Sequence, residues 1–436
     1  MPPAILNLEF PFNITKDQQA AVDAWIHNKY KGSIIYSTGT GKTEIALECA
    51  KQAAIKENNI AESTNMKIQE FKILFLVPRI ILIEQNIDRL HRYNIDKESI
   101  GSFYGEKKDE REITISTYQS AVNNHFLIRK ANMIVLDEVH FLSNTAFSFT
   151  KLFRIMKEEN DKKILGLTAT INELDPRYQE IINTIPPVRK YLIKEAVDDG
   201  RLAKPEIISM DVRLTADEKI MYDKTTEIIK DISYKLNAYD PGVISKILYD
   251  GGVRSKYARE WFNQVKKRKD LLNSSYNKLL KAEQIIEKHK RERIMVFSET
   301  IESISKLKDI LEKKNIKSEI IHSKIKIKDR KSILENWGKT FFPLLSVHTL
   351  EVGYDIPQVK IAIILSNTSN SNQIVQRIGR VIRKYENKEK ALIYLVYAKE
   401  TKDNNMVRMV DKAVGRKSYL QHKKNFKQTR ITDRFN

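Results

Sequence analysis

Short apolar runs that end in polar residues recur in two stretches of this chain, and segments with helical spacing separate them. Strands buried on both faces of a parallel sheet read as continuous apolar runs, because helices cover both faces. Between Phe10 and about Glu195 the runs are SIIYS, KILFLVP, ITIST, MIVLDE and KILGLTAT; after Arg291 they are IMVFSE, SEIIHS, PLLSVHT, VKIAIILS and KALIYLVY. The pattern predicts an α/β protein with two parallel-sheet domains, whose ligands bind beyond the carboxyl ends of the strands.

The segment between the two sheet regions has a different texture. It lacks strand-like runs and carries Lys, Glu, Leu and Ile at helical spacing, interrupted by DPG at 240–242 and DGG at 250–252. This predicts a helical insertion with a turn near its middle. The predicted boundaries are 1–195 for the first sheet domain, 196–214 for a linker and entry strand, 215–290 for the lysine-rich insertion, 291–400 for the second sheet domain and 401–436 for a basic tail.

Charge narrows the range of partners. The chain has 76 Lys and Arg against 56 Asp and Glu, a net charge of +20. Residues 251–290 hold eleven basic against four acidic side chains, and residues 401–436 hold ten against three. A balance of this size favours a polyanionic partner, and no apolar run is long enough to span a membrane, so we expect nucleic acid. The single cysteine, Cys49, excludes an internal disulfide, and MPPAILNLEF lacks the features of a secretory signal, so we expect an intracellular, cytoplasmic setting.

The stretch STGTGKT, residues 37–43, lies between an apolar run and a helical segment. Glycines in such a loop let backbone N–H groups approach phosphate oxygens, while Lys42 offers a positive charge to the β- and γ-phosphates and Thr43 a hydroxyl to Mg²⁺. The general pattern has glycine where this chain has Tyr36. The predicted nucleotide-binding residues are Thr38, Gly39, Thr40, Gly41, Lys42 and Thr43.

A second polar strand end, VLDEVH at residues 135–140, places two carboxylates side by side. Alone, such a pair is often a solvated strand end, but downstream of a phosphate loop it indicates hydrolysis. We predict that Asp137 binds Mg²⁺ through its water shell and that Glu138 orients or deprotonates the attacking water.

In chain order, STGTGKT, DEVH, LTAT (167–170) and QRIGRVIR (376–383) resemble motifs I, II, III and VI of superfamily 2 helicases, and the resemblance extends from about Ile14 to Tyr397. It implies RecA-like sheet domains and ATP with Mg²⁺ as cofactors. Gln18, in the leader ITKDQQAAVDAW, would bind the adenine edge, although Thr15 and Asp17 stand where the family commonly has an arginine and an aromatic residue. Arg380 and Arg383 would reach the γ-phosphate, and the residues that couple hydrolysis to domain closure would be His140, Thr168, Thr170 and Gln376.

Further segments resemble the nucleic-acid motifs of the same family. In the first domain LVPRIILIEQ, FYGEKK and STYQS resemble motif Ia, a GxxK-like segment and motifs Ib and Ic. In the second domain VFSET, IHSK and VHTLEVGYDIP resemble motifs IV, IVa and V. The implied or predicted nucleic-acid contacts are Arg79, Gly105, Thr117, Gln119, Ser298, Ser323 and Thr349, with Lys266, Lys267 and Arg268 of the insertion. Gly353 and Asp355 would lie near the nucleotide.

Within superfamily 2, DEVH combined with TYQS, LGLTAT and a helical insertion resembles the Rad25/XPB-like group and the phage UvsW-type branch-migration helicases. The chain departs from the XPB-like pattern in lacking an Arg-Glu-Asp triplet and in continuing LTAT with INELDP. The resemblance implies a thumb-like helical insertion and an ATP-dependent DNA helicase or translocase that unwinds or branch-migrates forked or junction DNA. In the absence of DNA we expect a monomer. An RNA helicase, or a DNA-binding ATPase switch that positions a partner nuclease without unwinding, stays an alternative. The terminal QTRITDRF, residues 428–435, resembles a degenerate sliding-clamp-binding peptide.

Overall fold

The computed structural model describes residues 2–64, 70–142, 147–159, 161–171, 173, 175–347, 359–366, 371–385 and 388–415. The chain divides into two compact units, Met1–Leu202 and Ala203–Asn436. In the described part of the chain, no helix is both long enough and apolar enough to cross a membrane.

The first unit is built on an eight-stranded sheet in the order β4-β3-β5-β2-β6-β7-β1-β8. Its strands are β1 (Lys31–Tyr36), β2 (Ile73–Val77), β3 (Ile100–Tyr104), β4 (Lys107–Lys108), β5 (Ile113–Thr117), β6 (Met133–Leu136), β7 (Lys163–Thr168) and β8 (Pro187–Tyr191). All neighbouring strands are parallel except β3 and β4, which form an antiparallel hairpin. The predicted parallel α/β sheet is therefore confirmed.

Helices flank this sheet and account for its apolar faces. They are α1 (Lys16–His27), α2 (Lys42–Ser63), α3 (Ile81–Arg92), α4 (Tyr118–Asn123), α5 (Phe126–Lys130), α6 (Phe147–Glu158), α7 (Gln179–Thr184) and α8 (Ile193–Asp198). Helix α2 turns small side chains, Ala46, Ala50 and Ala53, into the interior. Small side chains allow a helix to lie close to a sheet, and this brings the start of α2 up to the end of β1.

The second unit is built on a six-stranded parallel sheet in the order β11-β12-β10-β13-β14-β9. Its strands are β9 (Lys204–Val212), β10 (Ile294–Ser298), β11 (Glu319–Ile321), β12 (Pro343–Val347), β13 (Ile361–Ile364) and β14 (Lys390–Ala398). Its helices are α9 (Ala216–Leu236), α10 (Pro241–Tyr249), α11 (Gly252–Asn273), α12 (Tyr276–Lys288), α13 (Ile301–Lys313), α14 (Ile327–Asn336), α15 (Ser371–Val381) and α16 (Asn404–Ala413). Strand β9 pairs with β14 along its whole length and forms one edge of the sheet.

Helices α9 to α12 lie between β9 and β10 in the chain, where the sequence predicts the helical insertion. The turns fall where glycine and proline indicated them, since Asp240 caps α10 by accepting from the N–H groups of Gly242 and Val243. Helices α9, α10 and α11 share a small core of their own that includes Ile232, Ile244 and Trp261. Helix α12 packs on the sheet instead.

Candidate functional site

The phosphate loop between β1 and α2 has a backbone that only glycine adopts without strain. Gly39 has φ +88° and Gly41, which caps α2, has φ +85°. A Cβ on Gly41 would lie 2.2 Å from Gln18 Nε2, so the position excludes side chains twice over. The loop leads into the first turn of a 22-residue helix, whose unpaired N–H groups and dipole favour bound phosphate.

Side chains of the loop are arranged around Lys42. Its ammonium donates to the Tyr36 carbonyl at 3.2 Å and lies 3.9 Å from Glu138 Oε1. The Thr40 hydroxyl donates to the Ser37 carbonyl at 2.7 Å, which closes the loop. The Thr38 hydroxyl is buried and has no hydrogen-bond partner within the described residues. A buried polar atom left in this way fits a loop that completes its hydrogen bonding with a ligand.

The two carboxylates of motif II follow β6, and two hydrogen bonds hold the backbone of Asp137 in place. The Asp137 N–H donates to the Leu76 carbonyl at 2.9 Å, and the Tyr118 hydroxyl donates to the Asp137 carbonyl at 2.6 Å. Glu138 has φ +51°, a left-handed conformation that is unusual for residues other than glycine and that often marks functional sites.

The electrostatics of Asp137 suit a cation. Burial, together with the neighbouring Glu138 charge, raises the pKa of its carboxyl to about 7, although the Lys42 ammonium acts in the opposite direction. A buried carboxylate that is costly to ionise alone gains from a divalent cation beside it. Asp137 and the Thr43 hydroxyl are oxygen ligands of the kind that Mg²⁺ takes, so these residues fit the predicted ion.

A short polar chain connects motif II to motif III. His140 is buried, and its Nδ1 lies 3.0 Å from Thr168 Oγ1 and 3.3 Å from Glu138 Oε2. The Thr168 hydroxyl donates its single proton to the Thr170 carbonyl at 3.0 Å. Its oxygen is therefore the acceptor in the bond with His140, and His140 Nδ1 is the donor. The structure thus brings together three of the four residues predicted to couple hydrolysis to domain closure, namely His140, Thr168 and Thr170.

Gln18 is bound to the phosphate loop. Its Oε1 accepts from the Thr15 N–H at 2.9 Å, and its Nε2 donates to the Thr40 carbonyl at 3.2 Å. The side chain is 4% exposed. Gln18 is therefore hydrogen-bonded both to the start of the leader helix α1 and to the loop.

Sequence reasoning missed one residue of this site, Arg201. Its guanidinium donates to the Thr15 hydroxyl, to Asp17 Oδ1 at 3.2 Å and to the Thr40 carbonyl at 3.2 Å. The leader lacks the family's usual arginine, and Arg201 supplies a guanidinium there from 186 residues downstream of Thr15. No motif surrounds Arg201, so the one sequence signal that points to it is the absence of an arginine near Gln18.

The structure explains Tyr36, which replaces a glycine of the general pattern. Its hydroxyl donates to the Asp17 carbonyl at 2.6 Å, and its ring centroid lies 5.1 Å from that of Tyr191. The side chain is fully buried. Tyr36 therefore joins the last residue of β1 to the helix that carries Gln18, while the loop proper begins after it.

The predicted nucleic-acid contacts of the first unit lie along the same sheet edge as the phosphate site. Arg79, Gly105 and Thr117 stand at or just beyond the ends of β2, β3 and β5, which are neighbours, whereas motifs I, II and III follow β1, β6 and β7. Arg79, Gly105 and Gln119 are exposed. The Thr117 hydroxyl caps α4 by accepting from the Ser120 N–H at 3.2 Å.

In the second unit, motif VI lies on α15. Gln376 is 4% exposed, and its Nε2 has no hydrogen-bond partner in the described part of the chain. Arg380 is 5% exposed and Arg383, just past the helix, is half-buried. The Lys388 ammonium donates to the carbonyls of Val359, Val381 and Arg383, which fixes the end of α15; burial lowers the pKa of this lysine to about 8.

Other predicted residues of this unit have different surroundings. Ser298 is fully buried, and its hydroxyl lies 2.5 Å from that of Ser303. It is therefore placed to support α13 rather than to contact a nucleic-acid strand. Ser323 is exposed. The predictions for Thr349, Gly353, Asp355 and the terminal peptide 428–435 fall outside the described residues.

The basic cluster on α11 is divided. Lys266 and Lys267 are exposed. Arg268 instead lies 5.9 Å over the Tyr222 ring and donates to Thr226 Oγ1 at 3.3 Å, and burial lowers its pKa. Trp261 donates to Ser233 Oγ at 2.8 Å inside the insertion's core, so it is a packing residue.

Comparisons with known proteins agree with this division into two units. Residues 11–173 match the family model described as Type III restriction enzyme, res subunit, and residues 277–385 match the Helicase conserved C-terminal domain. The chain is 28% identical over 413 residues to the DNA 3'-5' translocase XPB2 of Sulfurisphaera tokodaii, covering 91% of this chain and 86% of that protein. It is 23% identical over 385 residues to the DNA 3'-5' helicase XPB of Mycobacterium tuberculosis, covering 85% of this chain and 58% of that protein.

One solved structure is similar over most of the chain. The ATP-dependent Type ISP restriction-modification enzyme LlaBIII bound to DNA matches with a TM-score of 0.60 and 19% sequence identity, over 93% of this chain and 30% of that chain. At this identity the likeness concerns the fold alone.

Proposed function

Because this chain belongs to superfamily 2 of the helicases, has two RecA-like units and resembles the Rad25/XPB-like group, we propose that it is an ATP-driven DNA translocase that unwinds or branch-migrates forked and junction DNA. One observation carries the proposal. The Lys42 ammonium lies 3.9 Å from Glu138 Oε1, and Glu138 is linked through His140 to Thr168 of motif III. A site built in this way can bind and hydrolyse a nucleoside triphosphate, and the change at Glu138 on hydrolysis can reach the backbone of motif III.

The residues of the first unit divide the chemistry among themselves. Lys42 and the loop N–H groups hold the β- and γ-phosphates, and Glu138 orients the attacking water or takes its proton. Thr43 and Asp137 would hold Mg²⁺, which supplies positive charge to the phosphate oxygens when it is bound. Gln18 and Arg201 both donate to the Thr40 carbonyl and so keep the loop in its binding conformation.

In the second unit, we assign to Arg380 and Arg383 the role of arginine fingers, which stabilise the negative charge that develops on the γ-phosphate. Their support is the resemblance to motif VI together with the arrangement of α15. The buried amide nitrogen of Gln376 has no hydrogen-bond partner among the described residues, which fits a group that reaches its partner only in the nucleotide-bound state. The Lys388 cap holds the backbone of Arg383 in place.

Charge and exposed residues favour a nucleic acid as the partner, and the names of the relatives favour DNA. The net charge is +20, and the exposed residues Arg79, Gln119, Lys266 and Lys267 are suited to phosphate contacts that do not depend on sequence. Both curated relatives carry DNA in their names. Preference for forks and junctions, and partnership with a nuclease or a sliding clamp, are the finer parts of the proposal.

A substrate panel tests it. We expect ATP-dependent strand displacement or branch migration on fork and junction DNA, and little activity on RNA duplexes of the same sequence. Lys42→Ala should abolish this activity while sparing most DNA binding. Lys56→Ala is the matched control, because Lys56 lies on the same helix, where its ammonium sits 4.4 Å from the Tyr30 ring centroid.

Each remaining outcome favours a different function. ATP hydrolysis without strand movement on any substrate would favour the ATPase switch that positions a partner. Preferential unwinding of RNA would favour an RNA helicase. Full activity of the Lys42→Ala protein would contradict the site itself.

A further inference from the structure

Glu299 connects the helical insertion to the motif VI helix through two ion pairs. It follows β10 and is 7% exposed. Its Oε1 accepts from Arg377 Nη2 at 2.8 Å, and its Oε2 accepts from Lys269 Nζ at 3.0 Å. Arg377 lies on α15 and Lys269 on α11, so one carboxylate touches both elements.

The contact with α15 bears on the position of the arginine fingers. Arg377 is 1% exposed, and its guanidinium lies 5.7 Å from the Phe297 ring centroid. A buried guanidinium depends strongly on its carboxylate, because removing one member of such a pair leaves the other charge uncompensated. Arg377 directly follows Gln376 and precedes Arg380 by one helical turn. We therefore expect a movement of Glu299 to shift the helix that carries Gln376 and Arg380.

The contact with α11 reaches a surface suited to DNA. Lys266 and Lys267 are exposed within one helical turn of Lys269. Helix α11 is held against α9 by the Trp261–Ser233 hydrogen bond, by Arg268 over Tyr222 and by a shared apolar core. Lys266, Lys267 and Lys269 all lie on this one continuous helix. A displacement of Lys266 and Lys267 by bound DNA therefore displaces Lys269 as well.

We propose that Glu299 is a positioning residue for the motif VI helix, and that its ion pair with Lys269 couples DNA bound by the insertion to ATP hydrolysis. The inference rests on the proposed function and deepens it. DNA on α11 shifts Lys269, the Glu299 carboxylate follows, and Arg377 carries the change to the turn that holds Arg380. Coupling of this kind is a difference in free energy between two arrangements of a connected network.

Lys269→Met tests the coupling, because it removes the ammonium and keeps much of the side-chain volume. We expect turnover at saturating DNA to fall about 5-fold or more, while turnover without DNA and the affinity for DNA stay at wild-type values. Lys269→Arg keeps the ion pair and should restore stimulation. Lys256→Met is the matched control, because Lys256 is an exposed lysine of the same helix outside the relay, and it should leave the stimulation of turnover by DNA at the wild-type level.

Glu299→Gln examines the other half of the relay. It removes the charge on which buried Arg377 depends, so turnover should fall both with and without DNA. Wild-type stimulation in the Lys269→Met protein would overturn the relay and leave the proposed function intact. If the wild-type protein hydrolyses ATP without any response to DNA, both the proposed function and the relay fail. Should Glu299→Gln fail to fold, the Lys269 variants still decide the question.

Discussion

At the scale of single residues, Tyr36 and Arg201 show how this chain departs from its motifs without losing the site. Tyr36 ties β1 to the leader through the Asp17 carbonyl, and Arg201 reaches the same helix through the Asp17 carboxylate. Both contacts converge on the helix that carries Gln18. Two unusual residues thus hold the leader helix against the phosphate loop.

Arg201→Ala tests this interpretation. The substitution removes donors from Thr15, Asp17 and the Thr40 carbonyl, so the phosphate loop loses a support. We expect KM for ATP to rise about 3- to 10-fold, in line with the loss of hydrogen bonds to a charged donor that is partly exposed. Arg177→Ala is the control, because it also breaks an arginine–aspartate pair, with Asp175, but leaves KM unchanged. An unchanged KM in Arg201→Ala would assign Arg201 to general stability.

Asp137 makes a prediction about pH. Its pKa is raised from 3.8 to about 7 by burial, so the folded protein binds a proton that the unfolded chain releases. The group's contribution to stability is complete below about pH 4 and is lost as pH rises through about 7. Asp137→Asn removes that dependence, so in EDTA its Tm should exceed the wild-type Tm by more at about pH 8.5 than at about pH 5. A gain of about 1 kcal/mol corresponds to about 2–4 °C. A difference that does not change with pH would contradict the assignment.

At the scale of elements, the continuous apolar strands of the first sheet were predictable, whereas β8 and β3 of the same sheet were not. Strands β1, β2, β5, β6 and β7 are continuous apolar runs because helices cover both their faces. Strand β8, PVRKY, lies at the sheet edge with Arg189 and Lys190 exposed, so its sequence has no such run. Strand β3, IGSFY, places glycine and serine in its middle.

The candidate site divides in the same way. Motifs I, II and III are local in sequence, and each follows one strand, so the order of the strands brings them together. Arg201 joins them through the folded chain alone, since nothing near it in sequence has the form of a motif. Ser298 illustrates the reverse case, in which a polar residue at a strand end is buried and bonded to Ser303.

Gly41, in the loop between β1 and α2, yields a prediction that can be compared with Gly105, which follows β3. Gly41→Ala must adopt φ +85° and would bring its Cβ within 2.2 Å of Gln18 Nε2. We expect ATP affinity to fall at least about 10-fold, together with a loss of about 1–2 kcal/mol in stability from the left-handed backbone. Gly105→Ala is the control, because its φ is +49° but nothing lies within 4 Å of the added carbon. It should share the stability loss and keep wild-type ATP affinity. Equal ATP affinities in the two variants would contradict the role of Gly41.

At the scale of the whole molecule, the net charge of +20 implies binding that depends on salt. DNA affinity should fall steeply between about 50 and 200 mM salt, because each neutralised phosphate releases a counterion. Replacing Lys266 and Lys267 by alanine should reduce the slope of log affinity against log salt by about 2, without changing the preference among DNA sequences. An unchanged slope would remove α11 from the DNA-binding surface.

The central claim is that Glu138 and the phosphate loop hydrolyse ATP in response to DNA. The most direct measurement is the rate of ATP hydrolysis, with and without forked DNA, in the wild-type and Glu138→Gln proteins. We predict a wild-type rate that rises with DNA, and a rate at least about 100-fold lower in Glu138→Gln with ATP binding retained, because general-base catalysis contributes about that much. Hydrolysis at the wild-type rate by the Glu138→Gln protein would contradict the account.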